Sequence, residues 1–157
     1  MKKLDHNTII FGIGNNGRQD DGLGWSFLAL VETESPPFDL EYRYQLQIED
    51  AELISKYENV IFVDACKTKI EGGFKLYPCV PEDNYSFSTH ALAPETILYI
   101  TKKLYNHEPN AQILAIQGEN WDLKIGLSNI GEGNLVKAYE YFKDEILSKN
   151  FILNKNY

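Results

Sequence analysis

Hydrophobic and polar positions follow two periods along this chain, and the switches between them mark its elements. An apolar run, Ile9-Ile10-Phe11, halts at Gly12-Ile13-Gly14 and predicts a buried strand over 8–14. Leu23, Phe27, Leu30 and Val31 then recur at i, i+4, i+7 and i+8, one face of a helix over 21–33 that Ser35-Pro36-Pro37 ends. Leu40, Tyr42, Tyr44 and Leu46 alternate with polar residues, as in a strand over 39–46. A short helix over 49–57 opens on acids. Asn59-Val60-Ile61-Phe62-Val63-Asp64-Ala65 is continuously apolar up to its aspartate, the pattern of a central parallel strand covered on both faces.

Beyond Gly72-Gly73 the segment 74–80 reads as a strand, and Pro78 places it at a sheet edge. Residues 81–90 read as loop, and Pro94 suits the first turn of a helix over 94–105. A buried strand over 112–117 and a loop over 119–130 follow. A last helix from Gly131 carries Leu135, Ala138, Tyr139, Phe142 and Ile146 on one face. Strands alternating with helices predict an α/β fold, a three-layer sandwich around a mostly parallel sheet. No linker or repeat divides residues 1–157, so one domain is expected. The tail 150–157 fits no pattern.

Composition narrows the function. The net charge of −8 disfavours nucleic acid and anionic membrane surfaces. No apolar run reaches membrane-spanning length, and Met1-Lys2-Lys3 is not followed by a signal-peptide core. Two cysteines, Cys66 and Cys79, are too few for a disulfide scaffold and read as packing residues of a cytoplasmic protein.

Asp21, Asp64 and His90 are the candidate chemistry. Asp21 follows the first strand, Asp64 ends the third, and His90 precedes a helix, so a parallel sheet brings all three to one edge. Two carboxylates and an imidazole suit a divalent transition metal and leave coordination positions open for a substrate. The bland alternatives are a helix cap for Asp20 or Asp21, a strand-end cap for Asp64, and a surface role for His90, as for His6 and His107. Gly12-Ile13-Gly14-Asn15-Asn16-Gly17 also matches the dinucleotide-binding fingerprint. Against that reading, Asp20 and Asp21 stand where a pyrophosphate would approach, and no acid ends the second strand to hold a ribose.

Gly12-Ile13-Gly14-Asn15, Asp20-Asp21-Gly22-Leu23-Gly24, the strand ending Val63-Asp64-Ala65, and Ser88-Thr89-His90-Ala91-Leu92 together resemble the motifs of the hydrogenase maturation proteases, over residues 8–147. These endopeptidases trim the C-terminus of the large subunit of nickel–iron hydrogenases. The resemblance implies a five-stranded twisted sheet between helices, with Asp21, Asp64 and His90 as metal ligands and catalytic residues. It implies nickel as the metal, delivered within the large-subunit precursor, and no organic cofactor. No nucleophile–base pair is apparent: Cys66, two residues past Asp64, has no histidine placed beside it by sequence, and metal-assisted hydrolysis is the simpler chemistry. Asn16 stands where the family carries proline, and Gly17-Arg18-Gln19 departs from its usual loop, which puts partner specificity rather than metal binding in question. Substrate contacts are expected from 85–87 and from 120–124, Trp121 included. The competing readings are an inactive metal- or partner-binding module of the same fold and a dinucleotide-binding protein using Gly12, Gly14 and Gly17.

Overall fold

A computed structural model describes residues 7–83 and 92–147. Its elements are β1 (Thr8–Ile13), α1 (Leu23–Glu32), β2 (Asp39–Arg43), α2 (Glu49–Ile54), β3 (Asn59–Cys66), β4 (Phe74–Pro78), α3 (Pro94–Tyr105), β5 (Asn110–Gln117) and α4 (Asn129–Phe142). The five strands form one sheet in the order β2-β1-β3-β5-β4. Every pairing is parallel except β4 on β5, so β4 is the antiparallel edge strand that Pro78 requires.

The alternation of side chains along a strand divides the core into two layers. Ile10 of β1, Ile61 and Val63 of β3, and Leu114 and Ile116 of β5 point to one face, where they meet Leu23, Phe27 and Leu28 of α1 and Leu135, Ala138 and Phe142 of α4. Ile9 and Phe11, Val60 and Phe62, and Ala111 and Ile113 point to the other, against Ile54 of α2 and Ile97 and Leu98 of α3. Phe11 stacks on Phe62 across the central strands, with ring centroids 5.6 Å apart.

Several boundaries move, each for a local reason. Asp21 does not begin the first helix: Gln19–Gly22 form a 3-10 turn and Leu23 opens α1. Neither Asp20 nor Asp21 caps α1, whose N-cap is Gly22 and has no side-chain partner. The second strand stops at Arg43, because the chain leaves the sheet to bury Leu46 between the layers and bridge it to Leu92. The helix after it ends at Ile54, and β4 ends at Pro78. The fifth strand begins earlier, at Asn110, where the register with Asn59 extends the pairing into polar sequence. The last helix begins at Asn129, because the Ser128 hydroxyl accepts the Gly131 N–H at 2.9 Å and fixes its first turn. The tail 150–157 and His6 lie outside the described residues.

Two glycines set how closely α1 lies on the sheet. A Cβ on Gly12 would stand 2.6 Å from the Gly24 carbonyl oxygen. One on Gly24 would stand 2.5 Å from the Val63 carbonyl oxygen and 2.7 Å from that of Ile13. Backbone atoms form all these contacts, so no side chain can yield. Gly24→Ala is expected to destabilise the fold by about 2 kcal/mol or more through overpacking, whereas Ala29→Gly on the exposed side of α1 should cost about 1 kcal/mol. Urea denaturation of the two variants checks the difference.

Candidate active site at the carboxyl edge of the sheet

β1 and β3 run parallel and in register, with Ile13 opposite Asp64, so their carboxyl ends share one edge. Asp64 belongs to the same side of β3 as Val60 and Phe62, the side that faces α2 and α3. Gly14 turns the chain away from β1 with φ of +141°, a conformation that L side chains rarely adopt, and it donates its N–H to the Arg43 carbonyl. A Cβ there would collide with the Asp21 carbonyl oxygen. The loop folds back, and Asp21 returns to the end of the strand it follows.

Asp21 and Asp64 both line a cleft of about 360 Å³ bounded by Gly14, Tyr44, Leu46, Leu92 and Pro94. Their environments differ. The Asp21 carboxylate accepts the Asn15 N–H at 2.9 Å. The Asp64 carboxylate accepts only the adjacent Ala65 N–H among the described hydrogen bonds, at 2.8 Å. Burial, with the charge of Asp21 adding to it, outweighs that bond and pushes the Asp64 pKa up to about 7. Among the described residues no lysine or arginine forms an ion pair with either acid. Two carboxylates sharing a cleft without a cation suit an incoming positive ion. His90 lies outside the described residues, as do 85–87; Leu92, two positions on in sequence, lines the cleft.

The acid beside Asp21 has the opposite fate. Asp20 is completely buried. Its carboxylate accepts the N–H groups of Glu119 (2.6 Å), Asn120 (3.0 Å) and Ser128 (2.8 Å) and the Ser128 hydroxyl (2.6 Å). Burial raises its pKa, but the bonds from the Ser128 hydroxyl and the three backbone N–H groups together hold it below the usual carboxylate value. Gly131 and Gly118 make room for it: a Cβ on either would stand 2.6 Å from Asp20 side-chain atoms. By local spacing Asp20 reads as a cap, because its partners lie about a hundred residues away and no local pattern announces them.

The same loop answers the dinucleotide reading. Gly14, Asn15, Gly17, Arg18, Gln19, Asp20 and Asp21 all spend their backbone N–H groups inside the protein. Few donors remain to cradle a phosphate. Gly24, not the third glycine of the fingerprint, packs helix on strand. Cys66 is half-buried, and its thiol points to the Thr68 carbonyl at 3.6 Å. Cys79 is buried, and burial, with Glu95 and Glu82 adding to it, pushes its thiol up to about 12, as befits a packing residue. His107 is half-buried rather than at the surface, donating Nε2–H to the Tyr57 carbonyl at 2.6 Å. Trp121 is half-buried beneath the Lys67 ammonium, 5.3 Å from the ring centroid.

Asp20→Asn replaces one carboxylate oxygen with an NH2 that cannot accept, stripping the Ser128 N–H or the three donors on the other oxygen of their partner, and is expected to cost about 3 kcal/mol in urea denaturation at neutral pH, where the carboxylate is charged. Carbon-13 NMR should place the Asp64 titration near pH 7 and find it lowered in Asp21→Asn. Because the folded value lies above the ordinary 3.8, this group favours the fold when protonated. Its contribution is whole below the unfolded pKa and is lost as pH rises through about 7. Asp64→Asn should therefore gain about 2 kcal/mol on the wild type between about pH 5 and about pH 8.

No protein-family model and no curated protein sequence matches the chain. Among solved structures, it is similar to the hydrogenase maturating endopeptidase HybD from E. coli, with a TM-score of 0.68 and 16% identity over 88% of this chain and 90% of that one. It is similar to the [NiFe] hydrogenase maturation protease HycI from Thermococcus kodakarensis KOD1, with a TM-score of 0.67 and 20% identity over 88% and 90% of the two chains. It is likewise similar to an endopeptidase from Escherichia coli solved in solution, at a TM-score of 0.68 and 15% identity over 90% and 94%. The five-stranded, mostly parallel α/β sandwich of this chain is the fold of the hydrogenase maturation endopeptidases.

Proposed function

We propose that this chain is an endopeptidase that removes the C-terminal peptide from the large-subunit precursor of a nickel–iron hydrogenase once nickel is in place. The observation that carries the reading is the pair Asp21 and Asp64 in one cleft at the carboxyl edge of the sheet, with no lysine or arginine among the described walls of that cleft and no ion pair to either acid among the described residues. The fold shared with endopeptidases of that name supports it. His90, two residues before the cleft-lining Leu92, completes the proposed ligand set.

In this reading nickel arrives as part of the substrate. The raised pKa of Asp64 gives the empty cleft a way to lower its charge before the substrate arrives, since one of the two carboxyls holds a proton near neutral pH. Docking of the ion displaces that proton and leaves both oxygens free to contact the metal. The cleft then fixes the precursor tail relative to the ion, and the positive charge of the substrate's own metal polarises the scissile carbonyl or activates a water for attack. No side chain serves as a covalent nucleophile. Tyr44, 65% exposed and stacked on Trp25 with ring centroids 5.0 Å apart, offers a flat wall at the cleft mouth along which a peptide can lie.

The test is processing of nickel-loaded precursor by folded variants, followed by the shift of the large subunit on a denaturing gel. Asp21→Asn, Asp64→Asn and His90→Ala are each expected to slow processing by about a hundredfold or more while leaving the circular dichroism unchanged. Wild-type rates from folded His90→Ala overturn the ligand assignment. A wild-type protein that binds the precursor and never cleaves it is a binding module instead. Nickel affinity of the wild type, measured by calorimetry, is expected to strengthen as pH rises through about 7, because proton and metal compete for Asp64.

A further inference from the structure

Asp21 also lines a second cavity, of which Tyr44 is not a wall. It is small, about 150 Å³, and its other walls are Arg18, Lys67 and Trp121. That is below the size of a cofactor site and suits a single side chain or chain end. Because Asp21 belongs to both cavities, a peptide lying across the Asp21–Asp64 cleft reaches this one next.

Its charge runs against the rest of the molecule. The chain carries a net −8 and has two arginines. Arg43 is fully engaged, bonded to Asp50 at 3.0 Å and to Glu41 at 2.8 Å. Arg18 is exposed and forms no ion pair among the described residues, and neither does Lys67. Lys67 is instead held over the face of Trp121 at 5.3 Å. A cation–π contact orients the ammonium without neutralising it, so its charge remains available to an anion.

The support beneath these groups is rigid. Asp20 anchors the backbone at Glu119 and Asn120, the two residues before Trp121. The Gln19 side chain accepts the Asp122 N–H at 3.2 Å, and the Gln19 N–H bonds the Lys124 carbonyl at 2.9 Å. Gly118 leaves space for the indole, whose edge would stand 2.8 Å from a Cβ at that position. The loop bearing Arg18 and the loop bearing Trp121 are thus fastened together by bonds from the residues next to each, which is how a recognition site is held ready for its ligand.

We propose that Arg18, Lys67 and Trp121 form a subsite for a carboxylate of the peptide substrate, next to the Asp21–Asp64 cleft. The carboxylate belongs either to an acidic side chain or to the free C-terminus of the excised segment. Arg18 and Lys67 pair with its oxygens, and the Trp121 face packs against the carbons that carry it. The assignment rests on the peptidase reading for its substrate, but its test does not depend on cleavage.

The experiment follows tryptophan fluorescence of the full chain in a Trp25→Phe background, where Trp121 is the one remaining indole. Three peptides are titrated at moderate ionic strength: acetyl-Gly-Glu-Gly-amide, acetyl-Gly-Gly-Gly with a free C-terminus, and neutral acetyl-Gly-Gln-Gly-amide. At least one of the first two is expected to shift the signal saturably at millimolar concentration, and the one that does identifies the source of the carboxylate. The neutral peptide should bind about tenfold more weakly, and Arg18→Ala or Lys67→Ala should weaken the carboxylate peptide by about the same factor. Equal responses to all three peptides overturn the proposal, as does unchanged binding in both variants or no saturable response; the two cations then merely offset the charge of Asp21 and Asp64. Because the readout is binding, the subsite fails or stands separately from the peptidase activity, which the processing assay reports.

Discussion

The buried carboxylate of Asp20 is the constraint on which this site depends. An ionised group taken completely out of water is tolerable only if it is well paired or richly hydrogen-bonded. Among the described residues Asp20 pairs with no cation and meets the requirement with four donors, all from 119–128. The loop after β1 and the loop after β5 therefore have to come together. One consequence runs forward in the chain, where Ser128 is fixed and caps α4. Another runs backward, where the 3-10 turn is held and Asp21 is delivered to the edge of the sheet.

Neighbouring acids have divided the work. Asp20 is satisfied by protein donors, is held in its charged form and contributes rigidity. Among the described residues, Asp21 and Asp64 each accept one hydrogen bond at the carboxylate, and burial raises the pKa of Asp64. A stable fold rarely leaves two acids in such a place without a reason, since filling the cleft with apolar groups is the cheaper solution for stability alone. The close glycine contact between α1 and the sheet belongs to the same arrangement. Gly24 sits against the backbone at Ile13 and Val63, immediately before Gly14 and Asp64, so helix packing fixes the strand ends that carry the site.

Asp21 joins two chemically distinct regions: a cleft that it shares with Asp64 and the Tyr44 ring stacked on Trp25, and a cationic recess that it shares with Arg18 and Lys67. The cationic recess draws on the loop after β1, which carries Arg18, and on the loop after β5, which carries Trp121. Both are loops carried by the rigid sheet, the kind of position from which a scaffold presents side chains for recognition.

Much of this was legible in the sequence. The continuous apolar runs of β1 and β3 announced central strands, Pro78 announced an edge, and Asp64 stood out as a charge ending a buried strand. Those features are set by backbone chemistry and short-range periodicity, which a chain carries wherever it folds. Only the tertiary structure distinguished Asp20 from Asp21, because the distinction rests on donors about a hundred residues away in sequence. It also decided that Leu46 leaves the sheet to meet Leu92, that Gly24 rather than Gly17 is the packing glycine, and that Arg18, Lys67 and Trp121 share one recess. Periodicity fixes which way a side chain points along its own element; which distant loop it meets is decided by how the layers close, and the sequence states that nowhere locally.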